Sequence, residues 1–319
     1  MKEFYEIDLH MHSMLSDGKE TPVEVVNKAA EVGLKKICLT DHNSLHPNYD
    51  KLREYAKTKG VEVLPFSGCE ASVVYYDNDK PLFTFHLLVY GDDEKIRDPR
   101  ILESIGHYYD RNNALTYKEI EDLNAAGYEI TSDEVLLYDM DIAPMEKVDK
   151  GSERHIIKCM AKKLGISYEE ADAMLDKYHT PFLYNRKEWV RQISVMPDVT
   201  EFISLANSLG LITVVAHPTW IDGVFECDKH LETRERKAEM IRELRDYGLD
   251  GIEVCHEMVN EADKAFYTAL ADELGLITTG GSDYHAEEDY GIHLTEYGVN
   301  EDGLKRLTDR LEQKAKAIR

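Results

Sequence analysis

The stretch Glu6–Ser13, EIDLHMHS, decides the fold, because it reads as a β-strand whose exit carries two histidines. Strand side chains repeat with a period of two, so His10 and His12 project to the same side. Just downstream, Thr21, Pro22 and Glu24 form a capping box with proline at the first helical position, and Gly33 ends that helix. KKICLTDH (35–42) is a second strand, followed by a helix through LREYAKTKG (52–60). VEVLPFSGCEASV (61–73) reads as a third strand and PLFTFHLLVYG (81–91) as a fourth, paired with its neighbour. Short apolar runs alternating with helical patterns are the signature of βα units and a largely parallel sheet.

From Asp92 to Asp198 the rhythm changes. Helix signals dominate, with capping boxes at Thr131/Glu134 and Ser167/Glu170, and no buried strand is expected. The βα pattern then resumes, with strands in LITVVAHP (211–218), GIEVCHE (251–257) and LITTGGSDYH (276–285) separated by helical segments. A final helix runs through GLKRLTDRLEQKAKAIR (303–319). The count is about seven strands, one fewer than the eight-stranded barrel. The expectation is a distorted seven-stranded α/β barrel built from residues 1–91 and 199–319, interrupted by a mostly helical insertion at 92–198 that could act as a lid.

Composition narrows the function. The 319 residues, 43% of them hydrophobic, are enough for one large core. No stretch approaches the length of a membrane span, and the acidic start MKEFYEIDLHMHS has no apolar signal segment. Cys38, Cys69, Cys159, Cys227 and Cys255 are scattered without C-x-x-C spacing, which fits reduced thiols in the cytoplasm. A net charge of −24 works against gripping long duplex nucleic acid, which needs a basic face, but leaves nucleotides and short oligonucleotides open.

Seven of the 13 histidines lie in or just after expected strands: His10, His12, His42, His86, His217, His256 and His285. Asp17, Asp41, Glu70, Glu253 and Asp283 share that placement. Parallel α/β folds deliver every strand exit to one edge, where sites assemble. A single histidine there reads as a hydrogen-bonded structural residue, and Asp17 in S-D-G reads equally as a turn. Six or seven imidazoles on one rim, with carboxylates among them, crowd lone pairs that need positive charge, which metal ions supply. Mixed imidazole and carboxylate ligands suit zinc, manganese or iron.

Taken in order, D-L-H-M-H-S-x-x-S-D-G, T-D-H, G-C-E, A-H-P and G-S-D-Y-H resemble the polymerase-and-histidinol-phosphatase (PHP) superfamily of metal-dependent phosphoesterases. Within the insertion, R-N-N, A-A-G-Y-E-I-T and G-S-E-R-H-I resemble its stand-alone nucleotide phosphatase and 5′–3′ exonuclease branch. The resemblance implies that His10, His12, Glu70 and Asp283 bind one metal, and that Glu70 bridges to a second held by His86 and His217. It implies a third metal on Asp17, His42 and His285, with Asp17 standing where some relatives carry histidine. Asp41 is read as a supporting residue or helix cap rather than a ligand.

The implied chemistry is hydrolysis of a small phosphorylated substrate, a nucleotide or short single-stranded oligonucleotide, by a metal-bound hydroxide. Two to three divalent ions (manganese, iron or zinc) are implied. Arg154 and the helix start at Gly151–His155 offer a phosphate dock, with Ser152 as N-cap, or else an ordinary capped helix. His155 and His256 are further substrate contacts or structural residues. Cys255-His256-Glu257 departs from the aromatic and basic run of the nucleotidase branch. The rival readings are a histidinol-phosphate phosphatase, an amidohydrolase (whose bridging lysine is replaced here by Glu70) and a non-catalytic metal-binding regulatory module.

Overall fold

In the computed structural model, which describes residues 4–138, 146–147, 153–175, 193–223, 233–286 and 294–318, the strands fall into two main sheets. Strand β1 (Ile7–Met11) runs parallel to β2 (Lys36–Leu39), which runs parallel to the short β3 (Glu62–Val63). Helix α1 (Pro22–Val32) joins β1 to β2. Its capping box forms as read, with the Glu24 amide donating to the Thr21 hydroxyl and the Thr21 amide to the Glu24 carboxylate, and Gly33 ends it at φ 93°. Helix α2 (Tyr49–Lys59) starts at Asn48 and stops at Gly60.

The expected third strand is divided. Pro65 has no amide to donate to a ladder, so the chain leaves β3 there and begins β4 (Ser67–Asp77) in the second sheet. Asn78 and Asp79, both at positive φ, then turn the chain straight back into β5 (Lys80–Gly91). Such a two-residue turn favours Asn and Asp and returns the strand antiparallel. β5 is also antiparallel to β8 (Ile212–Val215) and to the two-residue β9 (Asp222–Gly223), so this sheet is mixed rather than largely parallel. Beyond β8, parallel pairing continues through β10 (Gly251–Cys255) to β11 (Ile277–Gly280).

Alternation along β4 and β5 then assigns the faces. Ala71, Val73, Phe85, Leu87 and Val89 pack outward with Phe202, Ile203, Ile241 and Leu270 of α8 (Val199–Ser208), α9 (Arg234–Tyr247) and α10 (Glu261–Leu274). Leu88 and Tyr90 pack in a separate core with Leu9, Val214 and Ile277. By the period of two, His86 shares their face. The final helix α11 (Glu301–Ala317) caps this core through Leu304 and Leu307.

The two sheets are stitched at the strand exits. Glu70 donates its amide to the Thr40 carbonyl (3.0 Å) and accepts from the Asn43 amide (2.8 Å). On the other side, Asp283 donates to the His10 carbonyl (2.8 Å) and His12 to the Tyr284 carbonyl (2.8 Å). Among the described residues these stitches are single bridges, not a continuous ladder.

Residues 92–198 contain α3 (Asp93–Ile96), the long α4 (Pro99–Ala125), α5 (Ser132–Leu136), α6 (Glu153–Leu164) and α7 (Tyr168–Leu175). They also contain one pair of two-residue strands, β6 (Leu137–Tyr138) and β7 (Glu146–Lys147). Ile120, Leu123, Ile156, Met160 and Leu175 build a core of their own. The Thr131/Glu134 and Ser167/Glu170 boxes form reciprocally. Gly151, Ser152, His179, Cys227, His230 and His293 lie outside the described residues. No helix among the described residues is long and apolar enough to cross a membrane.

Candidate metal centre

All nine residues singled out as ligands meet at the stitched exits. Strand β1 and its exit present His10 and His12 with their Nε2 atoms 3.1 Å apart. Both nitrogens face Glu70 Oε2 at 3.1 Å and Asp283 Oδ1, at 3.3 Å from His10 and 2.9 Å from His12. His42 Nδ1 approaches the same Glu70 oxygen at 3.0 Å. The other oxygen, Oε1, faces His86 Nδ1 at 3.2 Å and His217 Nε2 at 3.0 Å. Glu70 thus stands between two sets of imidazoles, one on each carboxylate oxygen. On the far side of His12, Asp17 lies 3.1 Å from His285 Nε2 and 3.6 Å from His42 Nε2.

Local backbone shape makes this crowding possible. A Cβ on Gly281 would stand 2.3 Å from the His10 Cβ, so only glycine lets the last strand exit pass so close to β1. His217 (φ 23°), Asn43 (φ 46°) and Asp283 (φ 55°) all occupy positive φ, a strain concentrated at the centre. Hydrogen bonds hold them: the His217 amide donates to Glu253 (2.9 Å), and the Asn43 side chain exchanges bonds with Ser72. Asp41 does not point at the imidazoles. It accepts from the Ser13 amide (2.7 Å) and from the Ser13 and Ser16 hydroxyls (2.9 Å each), gripping the loop between His12 and Asp17.

The arrangement fits cations. His10 Nδ1 is 3.1 Å from Glu253 Oε1 and donates to it, so in the neutral ring Nε2 carries a lone pair. His285 Nδ1 likewise donates to the Asp283 carbonyl at 2.7 Å. These lone pairs face carboxylate lone pairs. Glu70 Oε2, Asp283 Oδ1 and Asp17 Oδ1 are buried oxygens with no hydrogen-bond partner. Ligand atoms about 2.0–2.2 Å from a tetrahedral metal lie roughly 3.3–3.6 Å from one another, close to the spacings here. Burial opposes a charged His10, yet the carboxylates of Glu70, Glu253 and Asp283 outweigh it and raise its pKa well above the usual value. Burial likewise opposes ionised Glu70, but the imidazoles around it, His10 foremost, hold its carboxyl well below the usual range. Burial drives His42 the other way, to about 3, so it stays neutral as a ligand must.

Three spatial groups of potential ligands overlap through shared residues: His10, His12, Glu70 and Asp283; His12, Asp17, His42 and His285; and His42, Glu70 and His86. A fourth, His10, Glu253 and His256, lies behind them. Glu253 went unassigned in the sequence reading; the available signal was an acid inside an otherwise apolar strand, which must find a buried partner. His256 is buried, accepts the Met258 amide at Nδ1 (3.0 Å) and sets Nε2 3.4 Å from Asp283 Oδ2, so it faces a ligand carboxylate. On α6, His155 is buried and Arg154 half-buried. Lys158, one turn beyond Arg154, donates to the Lys19 carbonyl (3.3 Å) and the Glu24 carboxylate (2.8 Å), tying α6 to the loop that carries Asp17.

A mixed α/β fold that clusters histidines and carboxylates at its strand exits is the frame of a candidate metal-site protein. The model of the PHP domain matches residues 8–187, and the chain belongs to that family. It is a phosphoesterase, similar over most of its length to curated hydrolases of phosphate esters. One relative is a phosphoribosyl 1,2-cyclic phosphate 1,2-diphosphodiesterase of Eggerthella lenta, 25% identical over 88% of this chain and 94% of its own. Another is a 3′,5′-nucleoside bisphosphate phosphatase of Chromobacterium violaceum, 26% identical over 89% of each chain. A solved structure from Bifidobacterium adolescentis, described as a metal-dependent phosphoesterase, shares the fold with a TM-score of 0.61 at 23% identity, over 95% of this chain and 96% of that one.

Proposed function

We propose that this phosphoesterase hydrolyses phosphate esters of nucleotides or short single-stranded oligonucleotides, in the cytoplasm, using two to three divalent ions of manganese, iron or zinc. The carrying observation is Glu70, whose two oxygens face separate sets of imidazoles with no protein donor satisfying Oε2. His10, His12, Glu70 and Asp283 would hold one ion, Glu70 with His86 and His217 a second, and Asp17, His42 and His285 a third. Bound there, divalent ions supply Lewis-acid pull on phosphate oxygens and acidify water. The remaining work falls to the chain. Glu253 keeps the proton on His10 Nδ1, Asp41 holds the His12–Asp17 loop, and Arg154 on the tethered α6 contacts the substrate phosphate.

The same proposal takes β1, β2, β4, β5, β8, β10 and β11 as the staves of a distorted seven-stranded barrel, joined by the stitches at Glu70 and Asp283, with 92–198 as an insertion beside its mouth. Long duplexes are disfavoured by the net charge of −24. The deciding experiment is a phosphate-release panel with added manganese, comparing mononucleotides, 3′,5′-bisphosphonucleotides, short RNA, a ribose cyclic phosphate and histidinol phosphate. Faster turnover of nucleotides supports the reading, and fastest turnover of histidinol phosphate overturns it. Arg154→Ala is expected to raise KM for the nucleotides about tenfold or more with metal content retained, the loss of a charged hydrogen bond to phosphate. Parent-like kinetics would remove Arg154 from the site.

A further inference from the structure

We propose that Trp220 and Met258 form a stacking platform for an aromatic ring carried by the phosphate ester, so that the enzyme selects nucleotides through the base as well as the phosphate. The inference rests on the phosphoesterase reading and names which half of the substrate the metal centre leaves unrecognised.

Trp220 and Met258 are large hydrophobic side chains left 47% and 46% exposed. Isolated exposed hydrophobics are ordinary on any surface, but these two lie on loops that are tied to one another. They sit on the exits of the neighbouring strands β8 and β10, at the edge where the histidines gather, and the Thr219 hydroxyl joins the loops by donating to the Met258 carbonyl at 2.9 Å. The turn Pro218–Trp220 is a single 3-10 turn held from every side. The Trp220 amide donates to the His217 carbonyl (2.8 Å), and the buried Lys237 ammonium to the Thr219 carbonyl (2.6 Å). The Tyr267 hydroxyl reaches the Pro218 carbonyl (3.4 Å), and the His217 amide reaches Glu253 (2.9 Å). Bonds from α9, α10 and β10 therefore fix a turn whose tip displays an indole.

That indole is next to the chemistry. Its ring centroid lies 5.7 Å from the imidazole of His217, which faces Glu70 at 3.0 Å. On the phosphoesterase reading, a phosphate held over Glu70 stands close enough to this rim for a ring one sugar away to reach the indole. Rigid display beside the reacting group is what a stacking contact requires, because an aromatic face accepts any base and loses little entropy when already fixed. Met258, with its polarisable thioether, adds a second exposed apolar side chain on the neighbouring strand exit.

The sequence holds two tryptophans, Trp189 and Trp220, so Trp189→Phe leaves one indole as a reporter. In that manganese-loaded variant, rapid mixing with AMP is expected to quench the Trp220 emission, whereas ribose 5-phosphate, with the phosphate and sugar but no base, is not. Trp220→Ala is expected to raise KM for AMP about tenfold relative to KM for ribose 5-phosphate, the size of one lost base–aromatic stack, and Trp220→Phe to restore most of the preference. Metal content should match the parent in both. Equal quenching by the two esters, no quenching by AMP, or an equal loss on both esters overturns the platform. If neither ester is hydrolysed, the substrate reading fails, while the quenching comparison still decides the platform.

Discussion

Nδ1 of His10 lies 3.1 Å from Oε1 of Glu253, 243 residues away in the chain, and this contact determines which nitrogen of His10 faces Glu70 and Asp283. The same carboxylate receives the His217 amide, so one buried acid orients residues on two strand exits. Glu253→Gln keeps the volume but loses the charge, and is expected to weaken metal binding about ten- to a hundredfold, as losses of orienting partners do. Chelator competition measures it. An affinity equal to the parent's would show that His10 needs no orienting carboxylate.

Glu70→Ala removes the carboxylate that faces both imidazole sets. Two ions should be lost together rather than one, read as metal-to-protein stoichiometry by elemental analysis. Retention of every ion present in the parent would end the bridging assignment.

Asp17 lies near His42 and His285, and its Oδ1 has no hydrogen-bond donor. Asp17→Ala is expected to lower turnover more than it lowers total bound metal, because the two imidazoles remain as partial ligands. Turnover at limiting metal is the discriminating measurement. If it matches the parent, Asp17 is a turn residue.

The Lys158–Glu24 pair links α6 to the metal loop and should respond to acid. Burial pushes the Glu24 carboxyl up, but the Lys158 ammonium and the Thr21 amide outweigh it and hold its pKa below the usual value. A folded-state pKa lower than the unfolded one gives stability that is present above about pH 4.3 and is lost as pH falls through the lower folded value. The stability gap between the parent and Glu24→Gln, from urea unfolding, should therefore close below about pH 4. At neutral pH Lys158→Met should cost less than about 1 kcal/mol, since the pair is half-exposed. A gap that is constant across this range would show that the pair carries no acid-sensitive stability.

Local signals were the legible ones. The capping boxes at Thr21, Thr131 and Ser167 and the stop at Gly33 form as read, because a cap is decided within four residues. The H-x-H strand exit was legible because a period of two needs no partner. The pairing of β4 with β5 is legible and forms, but its antiparallel direction departs from the expected largely parallel sheet, although Asn78-Asp79 carries the turn signal and Pro65 the break. Burial on both faces made β4 and β5 read as ordinary core strands, and apolar runs do not declare strand direction.

By itself, the sequence determined the family, the strand exits that bear histidines and the residues brought to one rim, because these follow from motif order and side-chain period. Which atoms face one another was decided only by the tertiary structure. Glu70 divides its oxygens between imidazole sets, Asp41 turns to Ser13 and Ser16 instead of the histidines, and His256 backs Asp283. Each of these depends on contacts of 2.7–3.4 Å between residues far apart in the chain. Such distances are set when two sheets close over a shared core and every buried charge must find its partner there.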